Sequence, residues 1–208
     1  MKKQVDKSHY EFAKYVAKPR WASMWHQLDE VMRLKPERVL EIGPGPGVFK
    51  AMASLFGVSV ETLDIDPELN PDHVASVLEM PFEDGDFDVV CAFQMLEHIP
   101  FDQSMQAFGE MARVARSKVI ISLPDARPVW PLSVHIPRTG ALQMLVPRPW
   151  SGPKRHDFNG EHYWEINKKG FDLNFVVREL RKIPRLNMTK TYRVWDFPYH
   201  RFFIFGVR

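Results

Sequence analysis

Three groups of residues in this chain have the types and spacing that binding and catalysis require. The first is the run Glu41-Ile-Gly-Pro-Gly-Pro-Gly47, set between a short β-rich segment and a helical one. A glycine turn between strand and helix lets a ligand approach the backbone closely. A dinucleotide fingerprint reads GxGxxG, but here the glycines fall at Gly43, Gly45 and Gly47, and Val48 stands where the last one belongs. Pro44 and Pro46 also lack the N–H groups with which a helix N-terminus holds pyrophosphate. The loop therefore suits a ligand without phosphates. The second group is Asp64, 21 positions after Gly43, where a carboxylate can accept the hydroxyl hydrogens of a ribose. An adenosine without phosphates satisfies both observations. The alternative is that the glycines form only a tight turn and that Asp64 only caps a strand end.

The third group is made of histidines. His98 follows an apolar run, and an imidazole with a pKa of about 6.5 suits general-base work near neutrality, unless it only packs on a helix or a ligand. The run HDFNGEHYWEI brings together His156, Asp157, Glu161, His162, Tyr163, Trp164 and Glu165. It reads either as a lid that supplies a base, His162 or His156, or as a loop stapled down by its aromatics. The His–His and His–Glu spacings inside it match no standard ligand pattern, and Cys91 is the only cysteine, so no metal is expected. Asp125, after an apolar run, either points at the same site or forms a turn after Pro124.

The elements that must position these residues follow from hydrophobic periodicity. Residues 20–34 carry Trp21, Met24, Trp25, Leu28, Val31 and Met32 at steps of three and four, an amphipathic helix before Pro36. Strands are expected at Arg38–Ile42, Val58–Asp66, His73–Val77, Phe87–Phe93 and Lys118–Leu123, the fourth buried on both faces. A helix over residues 48–56 and another capped by Asp102 alternate with them. Alternating strands and helices imply right-handed crossovers and a doubly wound, mostly parallel sheet with helices on both faces. Ligands of such sheets lie beyond the carboxyl ends of the strands, where the glycine loop falls. Seven of the 17 prolines fall between Pro124 and Pro153, so that stretch is expected to lack long regular elements. Trp130, Trp150 and the run ALQMLV within it read as a hydrophobic cover or as plain packing. A last helix capped by Asn167, then two β runs at Met188–Val194 and Arg201–Val207, complete the chain as an antiparallel edge pair.

With 208 residues there is room for one good core. The expected division is an N-terminal helical cap (1–36), a cofactor-binding core (37–125), an inserted substrate lid (126–166) and the last helix and strand pair (167–208). At 45% hydrophobic and 26% charged residues the chain is neither fibrous nor disordered. Lacking a long apolar stretch or a signal-peptide core, it is expected to be cytoplasmic, without integral membrane association. Residues 1–104 hold 10 Lys/Arg against 18 Asp/Glu, and residues 105–208 hold 18 against 8. The basic half steers toward an anionic partner, or simply solvates the surface.

On VLEIGPGPG, Asp64, SVLEMPFEDGDFDVV and AFQMLEH, residues 37–125 resemble class I S-adenosylmethionine-dependent methyltransferases, especially the small-molecule enzymes related to ubiquinone-biosynthesis methyltransferases. The resemblance implies a Rossmann-like sheet of seven strands with an antiparallel last strand, binding S-adenosylmethionine and releasing S-adenosylhomocysteine. It places Glu41 near the cofactor's amino group, lets the backbone approach at the glycines, and sets Asp64 on the ribose and Ile65 on the adenine. Val77 and Leu78 would line the adenine pocket, although this chain has Ser76 where the family commonly has an acidic residue. Phe93, Gln94, Leu96 and His98 match the loop that faces the methyl donor. Tyr10, Tyr15, Arg20 and Trp21 precede the sheet as do segments that close over the cofactor in related enzymes, where Arg20 could meet the methionine carboxylate or remain a surface arginine.

The chain lacks the Asn/Asp-Pro-Pro-Tyr/Phe loop of enzymes that methylate exocyclic amines, and it carries no RNA-binding module. A small molecule is therefore the expected acceptor and no nucleic acid is expected. Two alternatives stay open: an NAD(P)-dependent oxidoreductase on a similar sheet, and a non-catalytic S-adenosylmethionine-binding partner protein.

Overall fold

The computed structural model describes residues 17–138, 140–158 and 160–208, so Tyr10 and Tyr15 of the expected cap lie outside the described residues. Helix α1 (Lys18–Met32) takes the amphipathic segment, with a proline in its first turn where the missing N–H costs nothing. Strands β1 (Arg38–Ile42) and β4 (Phe87–Phe93) have the bounds that their apolar runs mark. Between them lie α2 (Val48–Leu55), β2 (Ser59–Asp64) and β3 (His73–Val74). β3 is shorter than expected because the chain turns at Ser76, whose carbonyl accepts from Glu79 N at 3.2 Å. Helix α3 (Phe101–Val114) leads into β5 (Ala115–Pro124). Pro100 rather than Asp102 stands at the cap, and Asp102 sits in the first turn, where its charge favours the helix dipole.

The proline-rich stretch departs from expectation. It forms a regular two-stranded ribbon, β6 (Val129–Ile136) and β7 (Gly140–Pro147), with Trp130 opposite Val146 and Leu132 opposite Met144. Both strands of a two-stranded ribbon are edges, so Pro131 is tolerated there as it would not be inside a wide sheet. Its large apolar residues do not pack in a core: Trp130, Leu132, Val134, Leu142 and Met144 are exposed. Beyond it, α4 (Leu173–Leu180) starts later than expected. Asn167 has φ 65° and enters a turn, its N–H donating to the Phe171 carbonyl at 2.8 Å, before the helix begins. Asp172 caps α4 instead, accepting from Phe175 N at 3.0 Å. β8 (Leu186–Arg193) and β9 (His200–Val207) finish the chain.

Seven strands form one sheet in the order β3-β2-β1-β4-β5-β9-β8. All neighbours from β3 to β5 are parallel, and β9 runs antiparallel to both β5 and β8. The sheet is thus the expected mostly parallel, Rossmann-like α/β fold. Alternate residues of the central strands feed two cores: Leu40, Val90, Ile121 and Phe203 pack with α3 and α4, whereas Val39, Cys91, Ile120 and Phe202 pack with Val31 of α1 and Phe49 of α2. Strand order reverses between β1 and β4, which opens a crevice beyond their carboxyl ends. Among the described residues no helix is long and apolar enough to cross a membrane.

Candidate active site

The glycine loop sits at that reversal. Gly43, Gly45 and Gly47 all have positive φ. A Cβ at Gly43 would lie 2.6 Å from Met95 Cγ, so the loop after β1 packs directly on the turn after β4. Glu41, Gly43, Pro44, Pro46 and Phe93 line a cavity of about 30 Å3, roofed by Met24 and Gln27 of α1. Burial pushes the Glu41 carboxyl up to about 8, against the opposing pull of the Lys50 backbone N–H and charge. One of its oxygens, Oε2, is buried without a hydrogen-bond partner. A cationic amino group is the complement such an oxygen calls for.

Asp64 ends β2 half-buried, and its Oδ1 accepts from Asp66 N at 2.8 Å. Burial raises its pKa, with Asp66 adding to the rise and the backbone hydrogen bonds of Asp66 and Ile65 opposing it. The carboxylate therefore caps the strand end and remains partly accessible. Ile65 is likewise part-exposed, whereas Val77 is in the α3-side core with Leu78 packed against it. Gln94, at φ 54°, donates its amide to Ser122 Oγ at 3.1 Å and so ties the end of β4 to β5.

Beyond β4 a short turn, Leu96–His98, meets the run 161–166. Tyr163 N donates to the Glu97 carbonyl at 2.8 Å, and Ile166 pairs alongside β5 at Asp125. Trp164 is fully buried, donates Nε1 to Ser104 Oγ at 3.0 Å, and stands edge-on to Phe101. The run is thus stapled to the core by Trp164 and Ile166, and the staple brings His162 to His98 with ring centroids 4.9 Å apart. His98 Nδ1 lies 3.0 Å from the Glu161 carbonyl, and His162 Nδ1 lies 3.0 Å from Glu165 Oε1. His156 Nε2 reaches the His162 carbonyl at 2.7 Å, so it holds the backbone at His162.

Burial works to lower the His162 pKa, but the bond to Glu165 and the charges of Glu97, Glu165 and Glu161 outweigh it and raise it. Glu97, which residue spacing did not single out, is fully buried, and burial pushes it up to about 7 while His162 and, more weakly, Arg20 of α1 favour its ionised form. Only its neighbour His98 marked this position in the sequence. Arg20 therefore acts on the Glu97 side of the crevice. Tyr199 donates its hydroxyl to Glu165 at 2.8 Å, and His200, held down to about 3 chiefly by burial, bonds Ser23 Oγ of α1 at 2.7 Å.

A second cavity, of about 1150 Å3, opens beside this cluster. Glu165 and Tyr199 form part of its wall, and Arg127, Arg148, Lys154, Lys168 and Lys169 line it. Asp125 accepts from Arg201 Nε and from Asn167 Nδ2, each at 2.8 Å. It organises the turn after β5 and also lines this cavity. Trp150, at the rim, is almost wholly exposed.

Comparison with known proteins adds the following. Residues 12–179 match a family model described as a methyltransferase domain. Among solved structures, a protein from Pyrococcus horikoshii OT3 is similar over 98% of this chain and 100% of that one, with 16% identity and a TM-score of 0.63. The 1,6-didemethyltoxoflavin-N1-methyltransferase of Burkholderia thailandensis, crystallised with 1,6-didemethyltoxoflavin and S-adenosylhomocysteine, matches over 97% of this chain and 84% of its own, at 15% identity and a TM-score of 0.62. Magnesium protoporphyrin IX methyltransferase of Synechocystis PCC 6803, with bound S-adenosylmethionine, matches over 98% and 90%, at 12% identity and a TM-score of 0.61. At these identities the likeness establishes the fold. No curated protein matches the chain significantly.

Proposed function

The chain belongs to the methyltransferase-domain family, and from that premise we propose that it is an S-adenosylmethionine-dependent enzyme that methylates a small anionic acceptor. The observation that carries the cofactor reading is the crevice where strand order reverses, in which a buried Glu41 oxygen has no hydrogen-bond partner beside a loop whose three glycines all take positive φ. Glu41 would take the cofactor's amino group, the backbone at Gly43, Gly45 and Gly47 its methionine part, and Asp64 its ribose. Ile65, Val77 and Leu78 serve the adenine side, and Phe93 and Gln94 the methyl-donor side. The structural relatives that bind S-adenosylmethionine or S-adenosylhomocysteine support this assignment. The match to a methyltransferase domain speaks against the oxidoreductase alternative.

Methyl transfer from a sulfonium is a direct displacement, so the protein's first task is to hold acceptor, methyl carbon and sulfur in line. The basic cavity supplies charge for an anionic acceptor, by steering and by charge-assisted hydrogen bonds. At its wall the His98–His162 pair, positioned by Glu165, Glu161 and His156, would activate the acceptor. The motifs of residues 37–125 support kinship with the ubiquinone-biosynthesis group, and the one cysteine, free and buried, suits a cytoplasmic setting.

Two measurements test this reading. Calorimetric titration should give S-adenosylhomocysteine binding that Asp64→Ala weakens at least about tenfold without lowering cooperativity of unfolding. Transfer of radiolabelled methyl groups to matched panels of carboxylated, phosphorylated and neutral small molecules should favour the anionic sets. Binding unaffected by Asp64→Ala would remove the ribose assignment, and transfer only to neutral molecules would overturn the anionic acceptor.

A further inference from the structure

The turn Leu96–His98 and the stapled run beyond it contribute three side chains to one point. Ligand atoms of Glu97, His98 and His162 all lie within 4.8 Å of one another. Both carboxylate oxygens of Glu97 are buried and have no hydrogen-bond partner. A buried carboxylate left in that state is costly unless a cation joins it. The histidines are held as metal-ligating histidines usually are: one ring nitrogen of each meets an oxygen acceptor, the Glu161 carbonyl for His98 and the Glu165 carboxylate for His162.

We propose that Glu97, His98 and His162 form a binding site for a divalent transition-metal ion, which would hold and polarise an oxygen of the acceptor. Two imidazole nitrogens and one carboxylate oxygen suit Mn2+, Fe2+, Co2+ or Zn2+ better than Ca2+, which prefers an all-oxygen shell. Three protein ligands leave coordination positions for a substrate. The placement fits the transfer. Met95, next to the turn, packs on the glycine loop, and Arg20, whose charge reaches Glu97, is one turn of α1 from Met24 in the roof of the cofactor cavity.

Glu165 orients His162 and also walls the basic cavity, so an acceptor anchored there by its anionic group could present a hydroxyl to the ion. The hydroxyl would give its proton to water. Its oxygen would then bond the methyl carbon while the C–S bond breaks with both electrons on sulfur. This role rests on the methyltransferase reading, whereas binding of the ion does not.

The test uses the full chain, stripped with a chelator, dialysed, and titrated with Mn2+ by calorimetry and with Co2+ by visible absorption. One ion per chain is expected. Glu97→Gln and His162→Ala should each weaken binding at least about tenfold and change the Co2+ spectrum, while His135→Ala, on the exposed ribbon, should leave both unchanged. Binding of S-adenosylhomocysteine to each variant shows that it is folded and tests the cofactor site separately. No ion bound, or binding insensitive to Glu97→Gln and His162→Ala in variants that still take S-adenosylhomocysteine, would overturn the site.

Discussion

Replacing Glu41 by Gln should make the ligand-free protein more stable and at the same time a poorer binder of its cofactor. In the folded chain burial lifts the Glu41 pKa from 4.5 to about 8. The folded state therefore keeps a proton that the unfolded state releases between those values. Because the folded pKa lies above the unfolded one, Glu41 costs nothing below pH 4.5, and stability is lost as pH rises toward 8, at about 1.4 kcal/mol per pH unit. At pH 7 the accumulated cost is about 3 kcal/mol. Gln, of the same shape and without charge, escapes it, and for a chain of this length the difference corresponds to a rise in Tm of roughly 6 to 12 °C. Melting curves of both proteins at pH 5, 6, 7 and 8 should thus diverge steadily.

The cofactor reverses the preference. An ammonium group on Glu41 favours the ionised form, so wild-type binding at pH 6 should release a proton, seen as a heat that varies with the buffer's ionisation enthalpy. Glu41→Gln should show neither the proton release nor the gain in affinity between pH 6 and 8. A Tm difference that stays constant across that range would refute the reasoning, since it would mean that Glu41 does not titrate there.

Gly43→Ala should lower stability by about 1 to 3 kcal/mol in thermal melts, because the new methyl meets Met95 Cγ and the backbone there has φ 69°; an unchanged Tm would show that the two loops can part freely. Trp164→Ala should cost about 3 to 5 kcal/mol, as expected for a fully buried indole. Trp164→Phe, which keeps most of the packing but loses the bond to Ser104 Oγ, should cost about 1 to 3 kcal/mol. Reversing charge in the basic cavity with Arg148→Glu should raise KM for an anionic acceptor while leaving S-adenosylhomocysteine affinity unchanged. A change in the latter instead would place the cavity with the cofactor.

Much of the fold was legible because its signals are local. The run FDVVCAF could only be a strand buried on both faces, and GPGPG after a β-rich run marks the carboxyl end of a first strand. Spacing alone located Glu41, Gly43 and Asp64 at neighbouring strand ends, since each sits at the end of an element whose period is plain. The errors are local too. Asn167 and Asp102 looked like helix caps, but a turn after Asn167 leaves the cap to Asp172, and Pro100 takes the other cap. The prolines of 124–153 suggested irregular chain, and a ribbon with two exposed edges tolerates them.

The cluster of Glu97, His98 and His162 could not be read that way. Its spacing argument considered ligands within one segment, and His98 lies 63 residues from Glu161, whose carbonyl holds it. What joins the two segments is burial of Trp164 and Ile166 against α3 and β5, together with one backbone bond from Tyr163 to Glu97. The sequence by itself determined most elements of the parallel sheet, the glycine loop and the class of ligand, because periodicity and missing N–H groups act over a few residues. Only the tertiary structure decided which distant polar groups share a buried point and which arginines line one cavity, because those proximities come from how apolar surfaces far apart in the chain close on each other.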